Sequence, residues 1–124
     1  MIDFISTEIP AGFGQGSTAP SNTHVLLDGI AELSCNPTGS PKPSIRWRNL
    51  RTNSEVISQG RYIILPNGNL RIKRVVRTDH GKYQCIVRNA LGSASKEAEL
   101  FVRGKFMNFD LVWRIQRRVN IGRI

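Results

Sequence analysis

A cysteine pair fifty residues apart, Cys35 and Cys85, with Trp47 twelve residues after the first and Tyr83 two residues before the second, constrains this chain more than any other feature. Around the second cysteine, Asp79, Gly81, Tyr83 and Cys85 recur at every second position, and alternate side chains of a strand share one face. These odd-numbered residues are expected to face inward. Around the first, Ala31, Leu33 and Cys35 alternate with Glu32 and Ser34, the mark of a strand with one buried face. Ile45 and Trp47 alternate in the same way with Arg46 and Arg48, and Leu70 and Ile72 with Arg71 and Lys73. Four stretches therefore each offer one apolar face to a common interior.

Turn chemistry separates them. Asp28-Gly29 closes a short β-rich run at 23–27, and Pro37, Gly39, Pro41 and Pro43 interrupt the chain before Ile45. After a polar loop at 49–54, Val56 and Ile57 precede Gly60 and a run at 62–65. Pro66-Asn67-Gly68 then leads into Leu70, and the turn at 89–92 into a last strand with Ala98, Leu100 and Val102 inward. Helical periodicity is almost absent before residue 104, which predicts an all-β class of antiparallel strands.

A chain of 124 residues has room for one domain, expected at 23–103. Residues 1–22 hold two acidic residues, no basic ones and a cluster of Gly12, Gly14, Gly16, Ser17 and Pro20. They read as a linker, with 2–9 as a candidate first edge strand. The glycine spacing there lacks the preceding strand, following helix and lysine that a phosphate-binding loop needs. Residues 104–124 hold five basic residues and one acidic, with Phe106, Phe109 and Trp113 falling on one side of a helix. That segment reads as a basic amphipathic or disordered tail.

Several classes of function are disfavoured. No run approaches the roughly 20 apolar residues that cross a bilayer. Asp3 and Glu8 stand where an export signal would have basic residues, so none is read at the start. Asn36 is followed by Pro37, which blocks the candidate glycosylation sequon. Catalysis or metal binding needs a cluster of ligating or nucleophilic groups. The chain has two histidines, His24 and His80, expected at opposite ends of the module, and Asp79 and His80 are neighbours on an extended segment that point apart. No enzyme site, metal site or cofactor is expected.

The chain resembles an immunoglobulin superfamily module of the I-set over residues 20–103. The likeness is carried by Asp28-Gly29, Leu33-x-Cys35, Gly39-Ser40-Pro41-x-Pro43 before Trp47, Asn67-Gly68-x-Leu70-x-Ile72, the 79–85 motif, and Asn89 and Gly92. It is most similar in wording to modules of neural adhesion proteins and receptors: contactins, Down syndrome cell adhesion molecules and receptor tyrosine phosphatase ectodomains. The resemblance implies an antiparallel β-sandwich with a Cys35–Cys85 disulfide, a core of Trp47, Tyr83 and Leu70, and a salt bridge between Arg61 and Asp79. A bridge over that loop stabilises by about 4 kcal/mol in the chain-entropy model if the compartment is oxidising. Two buried thiols in a cytosolic module are the alternative.

The same resemblance places the strands of Trp47 and Tyr83 in one sheet. Arg46, Arg48, Lys82 and Arg88 would then form a basic outward face, on strands without acidic residues, in a chain of formal net charge +9. Such a face suits a sulfated glycosaminoglycan such as heparan sulfate, an acidic protein surface or anionic lipid. Nucleic acid fits poorly, because no aromatic side chain is there to stack on bases. The plain alternative is a solvated face. The expectation is a non-enzymatic binding module of an extracellular adhesion or receptor protein, contacting other cell-surface or matrix proteins or a second copy, with heparan sulfate as co-ligand. An intracellular structural I-set module of muscle is the competing reading.

Overall fold

A computed structural model describes residues 8–104. The tail at 105–124 and most of the candidate edge strand at 2–9 lie outside the described residues. Ten strands follow in order: β1 (Ile9–Gly12), β2 (Thr23–Leu26), β3 (Ala31–Leu33), β4 (Thr38–Ser40), β5 (Ser44–Asn49), β6 (Ser54–Val56), β7 (Tyr62–Ile64), β8 (Leu70–Ile72), β9 (Gly81–Asn89) and β10 (Gly92–Arg103). A 3-10 turn, Arg77–Asp79, precedes β9. The strands form a five-stranded sheet in the order β2-β10-β9-β5-β6, a three-stranded sheet β3-β8-β7, and the pair β1-β4. The fold is an immunoglobulin-like sandwich, with the two larger sheets facing each other.

Pairing is antiparallel with one exception among the described strands. β2 runs parallel to β10, from Thr23 beside Leu100 to Leu26 beside Arg103. Those two strands are separated by most of the module, so no hairpin turn dictates their relative direction. β1 is held differently. The Asn89 side chain donates to the carbonyls of Ile9 (2.8 Å) and Pro41 (3.0 Å) and accepts from the amides of Ala11, Leu91 and Gly92. The segment read as linker thus includes a strand clamped to the last hairpin, with Ala11 and Pro20 buried.

The interior follows from the alternation. Leu33, Cys35, Trp47, Leu70, Ile72, Val75, Tyr83, Cys85, Val87 and Leu100 are all buried. Trp47 stands beside Cys85 in the β5–β9 register, and the Cys35–Cys85 disulfide joins the two sheets across this point. The Trp47 indole donates its Nε1–H to the Gly68 carbonyl at 2.8 Å. Gly68 is buried with φ +95°, and a Cβ there would lie 2.2 Å from Ile45 Cδ1 and 3.1 Å from the Cys35 carbonyl oxygen. Ile45 can rotate away, but the backbone oxygen cannot. Gly68→Ala is therefore expected to lower the urea-unfolding free energy by about 1–3 kcal/mol, from left-handed strain plus overpacking. An unchanged midpoint would show that this turn relaxes freely.

Candidate functional site

The outward face of the five-stranded sheet is set by register. Side by side across it stand Ser93, Arg88 and Ser44; then Ser95, Ile86 and Arg46; then Glu97, Gln84, Arg48 and Glu55; then Glu99 and Lys82. The sequence-predicted Arg46, Arg48, Lys82 and Arg88 are brought to one face, but acidic residues from flanking strands stand among them. Arg46 makes a two-pronged contact with Glu55, donating from Nε at 3.1 Å and from a terminal nitrogen at 3.0 Å. Lys82 Nζ lies 3.7 Å from Glu97. Arg48 donates to the Asn53 side chain at 2.9 and 3.0 Å. The hydrogen bond from Arg46 holds the Glu55 carboxyl below its ordinary pKa. The purely basic face expected from sequence is thus corrected to a mixed-charge face, because β6 and β10 supply the acids that β5 and β9 lack.

The histidines are also corrected. His24 and His80 meet at one residue: the His24 ring stacks on Phe101 with centroids 4.7 Å apart, and the His80 ring meets Phe101 edge-on at 5.5 Å. His80 Nδ1 accepts the Val102 amide at 3.1 Å, and its Nε2 lies 3.8 Å from Glu99. The parallel β2–β10 pairing, with His24 beside Phe101, brings this about. Among the described residues no group of three or more His, Cys, Asp or Glu is placed to hold a metal.

At the end of the sandwich where β10 finishes, Asp79 is buried. Arg61 donates to both its carboxylate oxygens, at 2.8 and 3.2 Å, and the Val76 amide donates at 2.8 Å. The Tyr62 hydroxyl bonds to it as well. Burial alone would push the Asp79 carboxyl up; the bonds from Arg61 and Tyr62 outweigh it, and the pKa lies below the ordinary aspartate value. The Tyr83 hydroxyl donates to the Asp79 backbone carbonyl at 2.7 Å, and burial raises its pKa. On the other sheet Glu32 accepts from Asn69 and Arg71, which together lower its pKa.

Two grooves open beside the sheets. One of about 410 Å³ lies between β6 and β7, lined by Ser54, Val56, Ile57 and Tyr62. Another of about 430 Å³ is lined by Pro37, Lys42, Pro43, Ile45 and Leu65. Neither contains a nucleophile paired with a base.

The model of the Immunoglobulin I-set domain family matches residues 15–102. Human Hemicentin-1 is 40% identical over 85 residues, covering 68% of this chain and 2% of that protein. The Caenorhabditis elegans protein Tyrosine-protein phosphatase Lar-like is 32% identical over 119 residues, covering 93% of this chain and 5% of that protein. The chain therefore spans only a few per cent of the length of these relatives. Among solved structures, the complex of titin M10 with an obscurin like 1 Ig domain contains a chain that is 27% identical, with a TM-score of 0.70, covering 79% of this chain and 97% of that one. Among the described residues no helix is long and apolar enough to cross a membrane.

Proposed function

Because the chain belongs to the immunoglobulin I-set family, we propose that it is a non-enzymatic protein-binding module of an extracellular cell-adhesion or receptor protein. The observation that carries this reading is the Cys35–Cys85 bridge, which needs an oxidising compartment to persist. Its likeness to a Lar-like phosphatase, and to adhesion-receptor modules in sequence, supports the same assignment. The mixed-charge face of β10, β9, β5 and β6 is the surface we assign to a cell-surface or matrix protein partner, including a second copy. Alternating charges fix register and partner choice more than raw affinity. A sulfated glycosaminoglycan such as heparan sulfate is the proposed co-ligand.

A second reading has its own support. The likeness to the titin complex favours a structural module of an intracellular muscle protein, in which both thiols stay reduced. Thiol titration separates the two: protein taken from its source under alkylating conditions and then denatured is expected to show no free thiol. Finding both cysteines alkylated would overturn the exported assignment.

A further inference from the structure

The positive charge that is neutralised on the sheet face is in surplus at one end of the sandwich. We infer that the end where β10 finishes binds a linear sulfated polysaccharide through Arg51, Lys73, Arg74, Arg77 and Arg103. This site deepens the co-ligand reading above and rests on it, since such polymers are met outside the cell.

Contiguity comes from the backbone. The Arg51 side chain bonds to the Thr78 carbonyl, beside Arg77. The segment at 73–79 is tied across the end by the Asp28 amide to the Val75 carbonyl (2.9 Å) and by the Val75 amide to the Gly29 carbonyl (3.0 Å). The Leu27 amide then reaches the Arg103 carbonyl at 2.7 Å. Arg51, Arg77 and Arg103 thus stand along one hydrogen-bonded path, with Lys73 and Arg74 held to Arg61 through their carbonyls at 3.1 and 3.2 Å. All five side chains are exposed. Main-chain bonds shape these turns, so the fold does not consume Lys73, Arg74 or Arg77 for support, while Arg103 donates from Nε to His24 Nδ1 at 3.4 Å at the exposed rim.

Charge accounting selects this end. Ion pairs between described residues engage Arg46, Arg61, Arg71, His80 and Lys82. Three of these, Arg46, Arg71 and Lys82, lie on the sheets. At the end itself, Asp79 is buried and satisfied by Arg61, so it offers no countercharge to solvent; Asp28, in the turn after β2, lies there too, Glu99 reaches His80 at its rim, and Glu55 is paired with Arg46. Four of the five cations are arginines, whose planar forks match the oxygens of a sulfate group. They come from three separate segments laid across the end and do not ring a pocket. That arrangement suits an extended polymer with repeating charge better than a single small anion.

The test compares two triple variants of the full chain, each removing three positive charges: K73Q/R77Q/R103Q at the end and R46Q/R48Q/R88Q on the face. Affinity for a size-defined heparin oligosaccharide is measured by calorimetry over a salt series. The end variant is expected to bind about tenfold or more weakly with a shallower salt dependence, and the face variant to stay within about threefold of the parent. Urea midpoints check folding; if the end variant is unfolded, R77Q and R103Q singly carry the same comparison. An equal loss in both variants overturns the site, as does parent affinity in both, which would move binding to residues 105–124. Displacement by polyglutamate at matched charge concentration would replace the polysaccharide with an acidic protein. Absence of heparin binding by the parent would remove the polysaccharide site and leave the adhesive reading, decided by thiol count, intact.

Discussion

Trp47→Ala is expected to lower the unfolding free energy by about 3–5 kcal/mol, and Cys85→Ala by about 2–5 kcal/mol. Trp47 is 1% exposed, beside Cys85 on one flank and Val56 on the other. Truncation leaves a cavity between the sheets at the point where the disulfide crosses. It also removes the donor that satisfies the buried Gly68 carbonyl. Because whole domains are stable by only about 5–15 kcal/mol, either change brings the module close to unfolding. Trp47→Phe separates the two contributions: it keeps most of the ring and loses the N–H, so it should cost less than the alanine variant while still leaving the carbonyl unpaired. Urea melts read as midpoint shifts at constant slope are the measurement. Parent-like melting of Trp47→Ala would mean that the indole does not fill the centre of the sandwich.

What was legible in the sequence, and what was not, has a physical basis. A strand with one buried face has an apolar period of two, so Leu33, Trp47, Leu70, Tyr83 and Cys85 could be assigned inward positions before any register was known. The period says which face a side chain takes. It does not say which strand lies alongside. Alternation therefore assigns Arg46 and Lys82 to the outward face but is silent on Glu55 and Glu97, which reach them from β6 and β10. The outward positions of β10 follow the same alternation as its inward ones, and extending the count to Glu97 and Glu99 was the available signal.

The histidines show a different limit. The hairpin from β9 to β10 is encoded by a local turn, so its pairing can be read from residues 89–92. The parallel pairing of β2 with β10 has no turn between its partners, and nothing local places His24 beside Phe101. The same holds for β1. Its attachment depends on Asn89, whose side chain bonds to residues almost eighty positions earlier, while glycine and proline content alone made that segment look like a linker. The cationic end of the sandwich is hidden in the sequence for a related reason: Lys73, Arg74 and Arg77 are close in sequence, but Arg51 and Arg103 join them only through turn contacts between distant segments.

Asp79→Ala is expected to cost about 3–5 kcal/mol at neutral pH, because it removes one member of a buried ion pair and leaves the other unmatched. Arg61, three-quarters covered beside Asp79 with a side-chain exposure of 26%, would lose its carboxylate, and the Tyr62 hydroxyl and Val76 amide would lose their acceptor. Removing both charged groups in Arg61→Ala/Asp79→Ala should cost less than the sum of the single changes, since neither charge is then stranded. The pH dependence has a definite sign. The folded-state pKa of Asp79 is depressed, so its contribution is fully present above the ordinary aspartate pKa, about 3.9. It is lost as pH falls through the lower folded-state value. The stability gap between parent and Asp79→Ala should therefore narrow as pH drops below about 4. Glu32 and Glu55 are depressed over the same range, but both proteins retain them, so the difference between the two urea series isolates Asp79. A gap that stays constant from neutral pH down through the acid range would mean that the carboxylate's charge is not what holds Arg61, Tyr62 and the 3-10 turn together.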